Sequence, residues 1–172
     1  AGLGLVVQSM ALGFGQGECG SGVLQLIDRE TGLEQLTGRY LSQSQGRDAL
    51  ASGSAALFLE RDDRGPSLEE LAPEAFGNLI DYARLMRRKL REEMQVEFVI
   101  EDGRVHLLDG VRVSRTSRAA VRTAVRLAED EIITRQEALM RVPPSALNEL
   151  LHKQVDRSVA NDLLGRGVAA SP

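Results

Sequence analysis

The chain has 172 residues, a length typical of one domain. Hydrophobic residues make up 42% and charged residues 27%, which excludes a disordered chain and favours a globular protein with a buried core. The net charge of −4 gives no reason to expect nucleic-acid binding, and no apolar run is long enough for a membrane span. The single Cys19 excludes an internal disulfide, so we expect a cytoplasmic protein.

The N-terminal part of the chain combines an apolar run with a glycine-rich segment. Leu3 to Met10 is apolar and predicts a buried strand, and five glycines between Gly13 and Gly22 predict a loop. The chain begins on Ala1 without a signal sequence and ends on GVAASP without a capping signal. We therefore expect a piece excised from a longer protein.

Two β-hairpins are predicted from alternating apolar residues on either side of turn residues. Val23 to Ile27 and Leu33 to Leu41 flank the turn Asp28 to Gly32. Val96 to Glu101 and Arg104 to Leu108 flank an Asp-Gly turn.

Helices are predicted between the hairpins and after the second one. A Ser-x-x-Glu signature at 67–70 precedes a long helix from Pro73 to about Met94. Helical spacing returns at Ser117, and two short helices follow, one capped by Thr134 with Glu137 and one from Pro143 to about His152. The apolar stripe expected to be buried in the helix after Ser117 consists of Val121, Val125, Ala128 and Ile132.

Two patterns carry candidate chemistry. Glu97 and Asp109 lie on strands predicted to be neighbours, where a shared face would let them hold Mg²⁺ between nucleotide phosphates. The alternative is an exposed sheet face with ordinary polar residues. Gly20-Ser21-Gly22 lies where a loop enters a strand, and it either cradles a phosphate or forms a structural turn. The P-loop spacing and its lysine are absent, which favours the turn.

The remaining chemistry-bearing residues favour structural roles. His106 and His152 lack a second ligand at metal spacing, and Cys19 has no neighbouring base in the sequence. Four arginines recur at helical spacing and either meet an acidic partner or form a solvated face, with the solvated face favoured. These arginines are Arg115, Arg118, Arg122 and Arg126.

Several short segments resemble motifs of one family. Val7-Gln8-Ser9-Met10 resembles a Val-Gln-x-Met strand, and Gly20 to Val23 resembles Ser-Gly-Thr-Gly-Val. Glu97 to Gly103 resembles a Glu-Phe-Thr-Ile-Glu-x-Gly hairpin. Further similar segments are Thr31-Gly32, Gly38 to Leu41, Gln45 to Asp48, 132–138, Leu150 to His152 and Ala170-Ser171-Pro172. Together they resemble the nucleotide-binding domain of the pyruvate phosphate dikinase and phosphoenolpyruvate synthase family.

The resemblance implies an α/β (α+β) fold, an ATP-grasp-like half domain with two β-hairpins and a long helix, followed by a helical linker. Residues 1–116 would form the C-terminal part of the ATP-grasp domain, and 117–172 a linker leading to a missing phosphohistidine domain. The family transfers phosphoryl groups from ATP towards phosphoenolpyruvate, using Mg²⁺. The nucleotide-binding residues implied here are Gln8, Met10, Gly22, Glu97 and Asp109. Glu97 and Asp109 would also hold the metal.

The implied partners are a nucleotide, the upstream half of the ATP-grasp domain and the phosphohistidine domain. Nucleic acid and a membrane are not expected. Apolar surface exposed in a half domain would promote self-association, so we also expect a homo-oligomer.

Departures from the family pattern fall at charged positions. Gln95 stands where the family has an acidic residue. Val111 replaces the catalytic arginine, and Ile27 replaces a further arginine. Arg39 and Arg47 stand where the family has glutamates. These changes remove cations that stabilise a transferring phosphate and place cations where they would repel Mg²⁺. We therefore expect a conserved fold with a largely dismantled catalytic site, inactive by itself. The two hypotheses are a fragment of an active dikinase and a non-catalytic regulatory or scaffold module.

Overall fold

The computed structural model of the protein describes residues 4–5, 7–13, 15–42 and 56–152. The predicted motifs at 45–48 and 170–172, and Arg47, lie outside these ranges. The strands are β1 Gly20–Ile27, β2 Glu34–Ser42, β3 Met94–Glu101 and β4 Arg104–Arg112. The helices are α1 Leu68–Leu71, α2 Pro73–Leu90, α3 Ser117–Glu129, α4 Arg135–Arg141 and α5 Pro144–Leu151. Within the described ranges, no helix has both the length and the apolar character needed to cross a membrane.

The four strands form one antiparallel sheet in the order β2-β1-β3-β4. Both predicted hairpins are confirmed, and the first strands of the two hairpins pair with each other at the centre. The mixed α/β class is confirmed as well, and the two hairpins and the long helix are consistent with half of an ATP-grasp-like domain. α3 begins at Ser117, directly after the predicted end of the sheet domain. The division into two domains at this point stays a prediction.

The main core lies between α2 and one face of the sheet. Leu79 and Ala83 of α2 pack towards Leu24, Val96 and Ile100, because alternate residues of a strand face the same side. Close to these residues the rings of Tyr40 and Phe98 stack with their centroids 6.1 Å apart. The opposite face of the sheet carries the other residues of the alternation, which include Gln95 and Glu97 together with Val23 and Val99.

The apolar run at the N-terminus does not form the predicted buried strand. Leu5, Val7 and Met10 are between 78% and 87% exposed, and no strand is found at 4–5 or 7–10. A strand needs backbone partners on a neighbouring strand, and none of the four described strands pairs with this segment. The prediction was therefore wrong for the described residues.

Two predicted boundaries also moved. β1 begins at Gly20, so Gly20-Ser21-Gly22 belongs to a strand and not to the loop before it. The long helix ends at Leu90 because Arg91 adopts the left-handed conformation with φ 57° and caps the helix through Arg87 O. Met94, expected at the helix end, begins β3 instead.

The helices after the sheet contain a second, smaller core. It consists of Ala124, Leu127, Ile133 and Ala138. The stripe predicted after Ser117 is confirmed only in part: Ala128 and Ile132 pack against this core, but Val125 is exposed. The buried residues of α3 are Ala119, Thr123, Ala124 and Leu127. Small residues form the buried side here, which hydrophobic spacing alone does not single out. The predicted cap of α4 is confirmed as a capping box between Thr134 and Glu137.

Candidate functional site

One row of residues crosses the face of the sheet that α2 leaves uncovered. Val23 of β1 is paired with Arg39 of β2 on one side and with Glu97 of β3 on the other. Glu97 in turn is paired with Asp109 of β4. Paired residues of antiparallel strands share a face, so these four side chains form one row. We call this surface the open face.

Glu97 and Asp109, the two predicted metal ligands, are therefore brought together as direct neighbours. A β-bulge lies beside them, between Glu97 and Phe98, and Asp109 Oδ1 accepts a hydrogen bond of 2.7 Å from Gly110 N. Both side chains are exposed. Carboxylates placed opposite each other repel unless a cation lies between them. Mg²⁺ is commonly held by one or two carboxylates together with phosphate oxygens, so the pair fits such an ion.

The pair does not form a complete metal site by itself. Among the described residues, no group of three or more His, Cys, Asp or Glu side chains could hold a metal ion. A cation here would take its remaining ligands from water or from a bound phosphate. Whether Glu97 and Asp109 bind a metal stays a prediction.

A second row on the open face is uncharged. Gln25 Nε2 donates a hydrogen bond of 2.6 Å to Gln95 Oε1, and the two residues are a register pair. Val111 is the partner of Gln95 on β4 and is exposed. Gln95 and Val111 therefore leave an amide and an isopropyl group where the resemblance expects an acid and an arginine. Gln25 was missed by the sequence analysis: the period of two within β1 places it on the face of Val23, but its position beside Gln95 follows from the pairing of β1 with β3.

The other predicted nucleotide-binding residues are not brought together with Glu97. Gly22 faces the buried side, where a Cβ would lie 2.5 Å from Phe98 Cζ. Gln8 and Met10 are exposed and precede the first described strand. The chain that follows them reaches the turn end of β3, where Leu12 N donates to Glu101 Oε1 at 3.3 Å. Their nucleotide-binding roles stay predictions.

The glycine-rich segment packs against the turn of the second hairpin. Asp102 Oδ1 accepts a hydrogen bond of 3.0 Å from Gly17 N, and Gly103 N donates to Glu18 O at 2.9 Å. A Cβ on Gly15 would lie only 1.9 Å from Asp102 Oδ1. Glycine is thus needed for close packing at this place. The glycines before β1 therefore have a packing role, while the phosphate-binding alternative for Gly20-Ser21-Gly22 stays a prediction.

Cys19 is buried beside the turn of the second hairpin, whereas His106 is exposed on β4. Cys19 is buried, and its Sγ accepts a hydrogen bond of 3.3 Å from Asp102 N. His106 is exposed on β4, paired with Val99. The buried thiol thus helps to hold the hairpin turn, in agreement with a structural role.

The arginines predicted to form a solvated face are largely engaged within the chain. Arg115 is only 8% exposed and binds Glu92 at 2.9 Å, so the solvated interpretation was wrong there. Arg122 donates to Thr31 O at 2.9 Å, and Arg126 pairs with Glu34. These partners are distant in sequence, so no local pattern could have indicated them.

Glu92 and Arg87 are charged residues whose surroundings shift their pKa values. Burial raises the pKa of Glu92, but its bonds with Arg115 and with the amide of Glu93 outweigh burial, so the pKa is lowered. Burial lowers the pKa of Arg87, but pairing with Glu93 and Asp130 outweighs it and raises the pKa. Both groups are therefore held in their charged forms.

The fold and the open face together define a mixed α/β module with a polar, carboxylate-bearing sheet surface. Proteins named pyruvate, phosphate dikinase match nearly the whole of this chain. The one from Rhizobium meliloti is 34% identical over 181 residues, covering 100% of the chain and 20% of that protein. The one from Rickettsia typhi is 29% identical over 171 residues, covering 99% of the chain and 19% of that protein. The chloroplastic one from Flaveria trinervia is 30% identical over 168 residues, covering 96% of the chain and 17% of that protein.

The chain therefore spans about one fifth of the length of the curated relatives that it matches. The predicted resemblance is confirmed: the whole chain is homologous to a fragment of the pyruvate, phosphate dikinases. No protein-family model matches the chain.

Proposed function

We propose that this chain is the part of a pyruvate, phosphate dikinase-like protein that presents the carboxylate row of a nucleotide-binding site. Its open face would receive the phosphates of ATP, and Glu97 and Asp109 would hold Mg²⁺ against them. The observation that carries the proposal is the register pairing of Glu97 with Asp109 on an uncovered face of the sheet. Mg²⁺ would neutralise phosphate charge when bound. The homology to the dikinases supports the phosphotransferase class.

We propose further that the site is degenerate and that the chain does not catalyse phosphoryl transfer alone. Transfer requires cations around the migrating phosphate. Val111 and Ile27 are apolar where the family resemblance implies arginines. Arg39 lies in the same row as Glu97, with one strand between them, so it opposes a metal ion there. The upstream half of the domain and the phosphohistidine domain would be supplied by other parts of a longer protein.

The second candidate function is a non-catalytic regulatory or scaffold module. The uncharged pair of Gln95 with Val111 favours it, because this row contributes no charge to a nucleotide site. The cytoplasm is our proposed compartment for either function, on the basis of the single buried, unpaired Cys19.

Calorimetric titration of Mg-ATP tests the proposal in the chain and in a longer protein that contains it. We expect Mg²⁺-dependent binding that Glu97→Gln weakens about tenfold, because one of two carboxylates loses its charge. Glu129→Gln, which removes one exposed charge from α3, is the matched control and should leave binding unchanged. Absence of heat from a folded protein would favour the non-catalytic module. Equal affinity in wild type and Glu97→Gln would remove Glu97 from the site.

A further inference from the structure

The described residues form two bodies with separate apolar cores. The sheet body contains β1–β4, α1 and α2, and its core lies between α2 and the sheet. The helical body contains α3–α5, and its core is centred on Leu127 and Ile133. The two clusters of buried apolar side chains are distinct. What joins the bodies must therefore be sought in other contacts.

A crevice of about 840 Å³ runs along the boundary between the bodies. Its walls come from α2, from the first hairpin and from the end of α3. Arg87 of α2 crosses this boundary to Asp130 at 2.6 Å, and Arg126 of α3 crosses it to Glu34. The bodies are thus bridged by charges at a place where apolar packing leaves a gap.

A cluster of ion pairs lies at the corner between α2 and β3. Glu92 binds Arg115 at 2.9 Å, Arg112 at 2.9 Å and Arg141 at 3.6 Å. Arg141 belongs to α4, so Glu92 links the helical body to the sheet body directly. The Glu92 side chain is only 13% exposed, which reduces screening of these pairs by solvent.

Arg91 adds a second set of contacts at the same corner. Its guanidinium donates to Ile132 O at 3.0 Å and binds Glu137 of α4 at 2.6 Å. Arg91 O in turn accepts a hydrogen bond of 2.6 Å from Arg141. Arg91 therefore contacts the turn between α3 and α4 and both the first and the last turn of α4.

We propose that Arg87, Arg91 and Glu92 form an ionic latch that keeps the helical body closed on the sheet body. Release of the latch would let the helical body turn about residues 113–116 while both cores stay folded. In the part of the chain that the structure describes, these residues are the covalent connection between the bodies. They are held by Val113 N to Glu93 O at 3.1 Å and Thr116 N to Arg29 O at 3.2 Å. The latch is independent of nucleotide binding on the open face.

The test is amide hydrogen exchange in the intact chain carrying Glu92→Gln. This change keeps the shape of the side chain but removes the charge shared by three arginines. We expect exchange at Val113 and Thr116 to become about tenfold faster. The amides of Ile132 and Ile133, which donate to Leu127 O inside the helical core, should keep their wild-type rates. Glu129→Gln is the matched control and should change neither set.

Two outcomes would overturn the latch. Unchanged exchange at Val113 and Thr116 would show that Glu92 does not hold the bodies together. A parallel rise at Ile132 and Ile133 would show that the helical body unfolds and does not swing. If Glu92→Gln does not fold, Arg91→Gln serves instead, because Arg91 is half-exposed and its loss leaves no buried charge unpaired. The same pattern of exchange with a smaller increase is then expected, and its absence would equally overturn the proposal.

Discussion

Gly22 occupies a position in β1 where even one methyl group would be costly. A Cβ there would lie 2.5 Å from Phe98 Cζ and 2.6 Å from Arg39 O, and the Tyr40–Phe98 stack leaves little room for relaxation. We expect Gly22→Ala to lower the free energy of unfolding by about 1–3 kcal/mol, as overpacking of a core usually does. Urea unfolding followed by circular dichroism measures this change.

Gly77 in α2 is the matched control for Gly22. A Cβ at Gly77 would meet nothing within 4 Å. Gly77→Ala should therefore raise the free energy of unfolding by about 0.5–1 kcal/mol, through helix propensity. Gly22→Ala as stable as wild type would contradict the packing role of this glycine.

Val111 is the residue at which the proposed loss of catalytic charge is most directly testable. It lies on β4 opposite Gln95, one row from the Glu97–Asp109 pair. Because a guanidinium binds phosphate oxygens through charged hydrogen bonds, Val111→Arg should tighten Mg-ATP binding about tenfold. Calorimetric titration measures the change. The prediction rests on the proposed nucleotide site.

Val125 provides a surface control for this arginine. It is 49% exposed on α3, against 46% for Val111, so Val125→Arg adds the same charge away from the open face. It should leave Mg-ATP binding unchanged. Equal gains in the two variants would attribute the effect to net charge and would argue against a phosphate position beside Val111.

At the scale of single elements, α4 depends on a carboxylate at its first turn. Glu137 accepts a hydrogen bond of 2.8 Å from Thr134 N and pairs with Arg91, which lower its pKa from 4.5 to about 2. A carboxylate with a lowered pKa stabilises the fold above its unfolded pKa, and this contribution disappears as the pH falls from 4.5 towards 2. Glu137→Gln should therefore unfold at lower urea concentration at pH 7.

The difference between wild type and Glu137→Gln should shrink as the pH is lowered through this window. Urea midpoints measured at several pH values check this dependence. Glu129→Gln, which removes an exposed carboxylate from α3, should show little difference at any pH. A Glu137→Gln difference that is independent of pH would mean that charge is not the source of the stabilisation.

Local chemistry made the hairpins and caps predictable from the sequence. Asp102-Gly103 forms the expected turn with positive φ at both residues, and Thr134 caps α4 as its spacing to Glu137 indicated. The N-terminal run was mispredicted because its apolar residues indicate a strand only where a neighbouring strand offers backbone partners. The buried side of α3 was mispredicted because Ala119 and Thr123 are less hydrophobic than the exposed Val125.

At the scale of the whole molecule, the open face was partly predictable and the latch was not. Glu97 and Asp109 are joined by a short hairpin, which brings them near each other, but the turn position alone would pair Glu97 with Leu108. The β-bulge between Glu97 and Phe98, which no sequence pattern indicated, places Asp109 opposite Glu97. Arg87 and Asp130 are 43 residues apart, and Arg91 and Glu137 are 46 apart. Such pairs are set by how the helical body packs on the sheet body, which no local spacing encodes. The same holds for Arg115, which was predicted to be solvated and binds Glu92, 23 residues away.

The helical body also exposes apolar side chains that its own core does not use. Leu139, Met140 and Leu151 are 76%, 86% and 85% exposed. Exposed apolar surface favours association because burying it removes it from water. We therefore expect the chain to self-associate, and the double variant Leu139→Gln/Met140→Gln to reduce this. Sedimentation velocity across a range of protein concentrations measures the effect.

A substitution on another surface distinguishes a specific contact from non-specific hydrophobic association. Leu108 is 53% exposed on β4, away from α4, so Leu108→Gln, compared with Leu139→Gln alone, removes exposed apolar surface elsewhere. It should leave the sedimentation profile as in wild type, because the association we expect is made by the helical body. Equal effects of the two variants would assign the association to the whole surface. A monomer at every concentration would contradict this prediction and the self-association expected from the sequence.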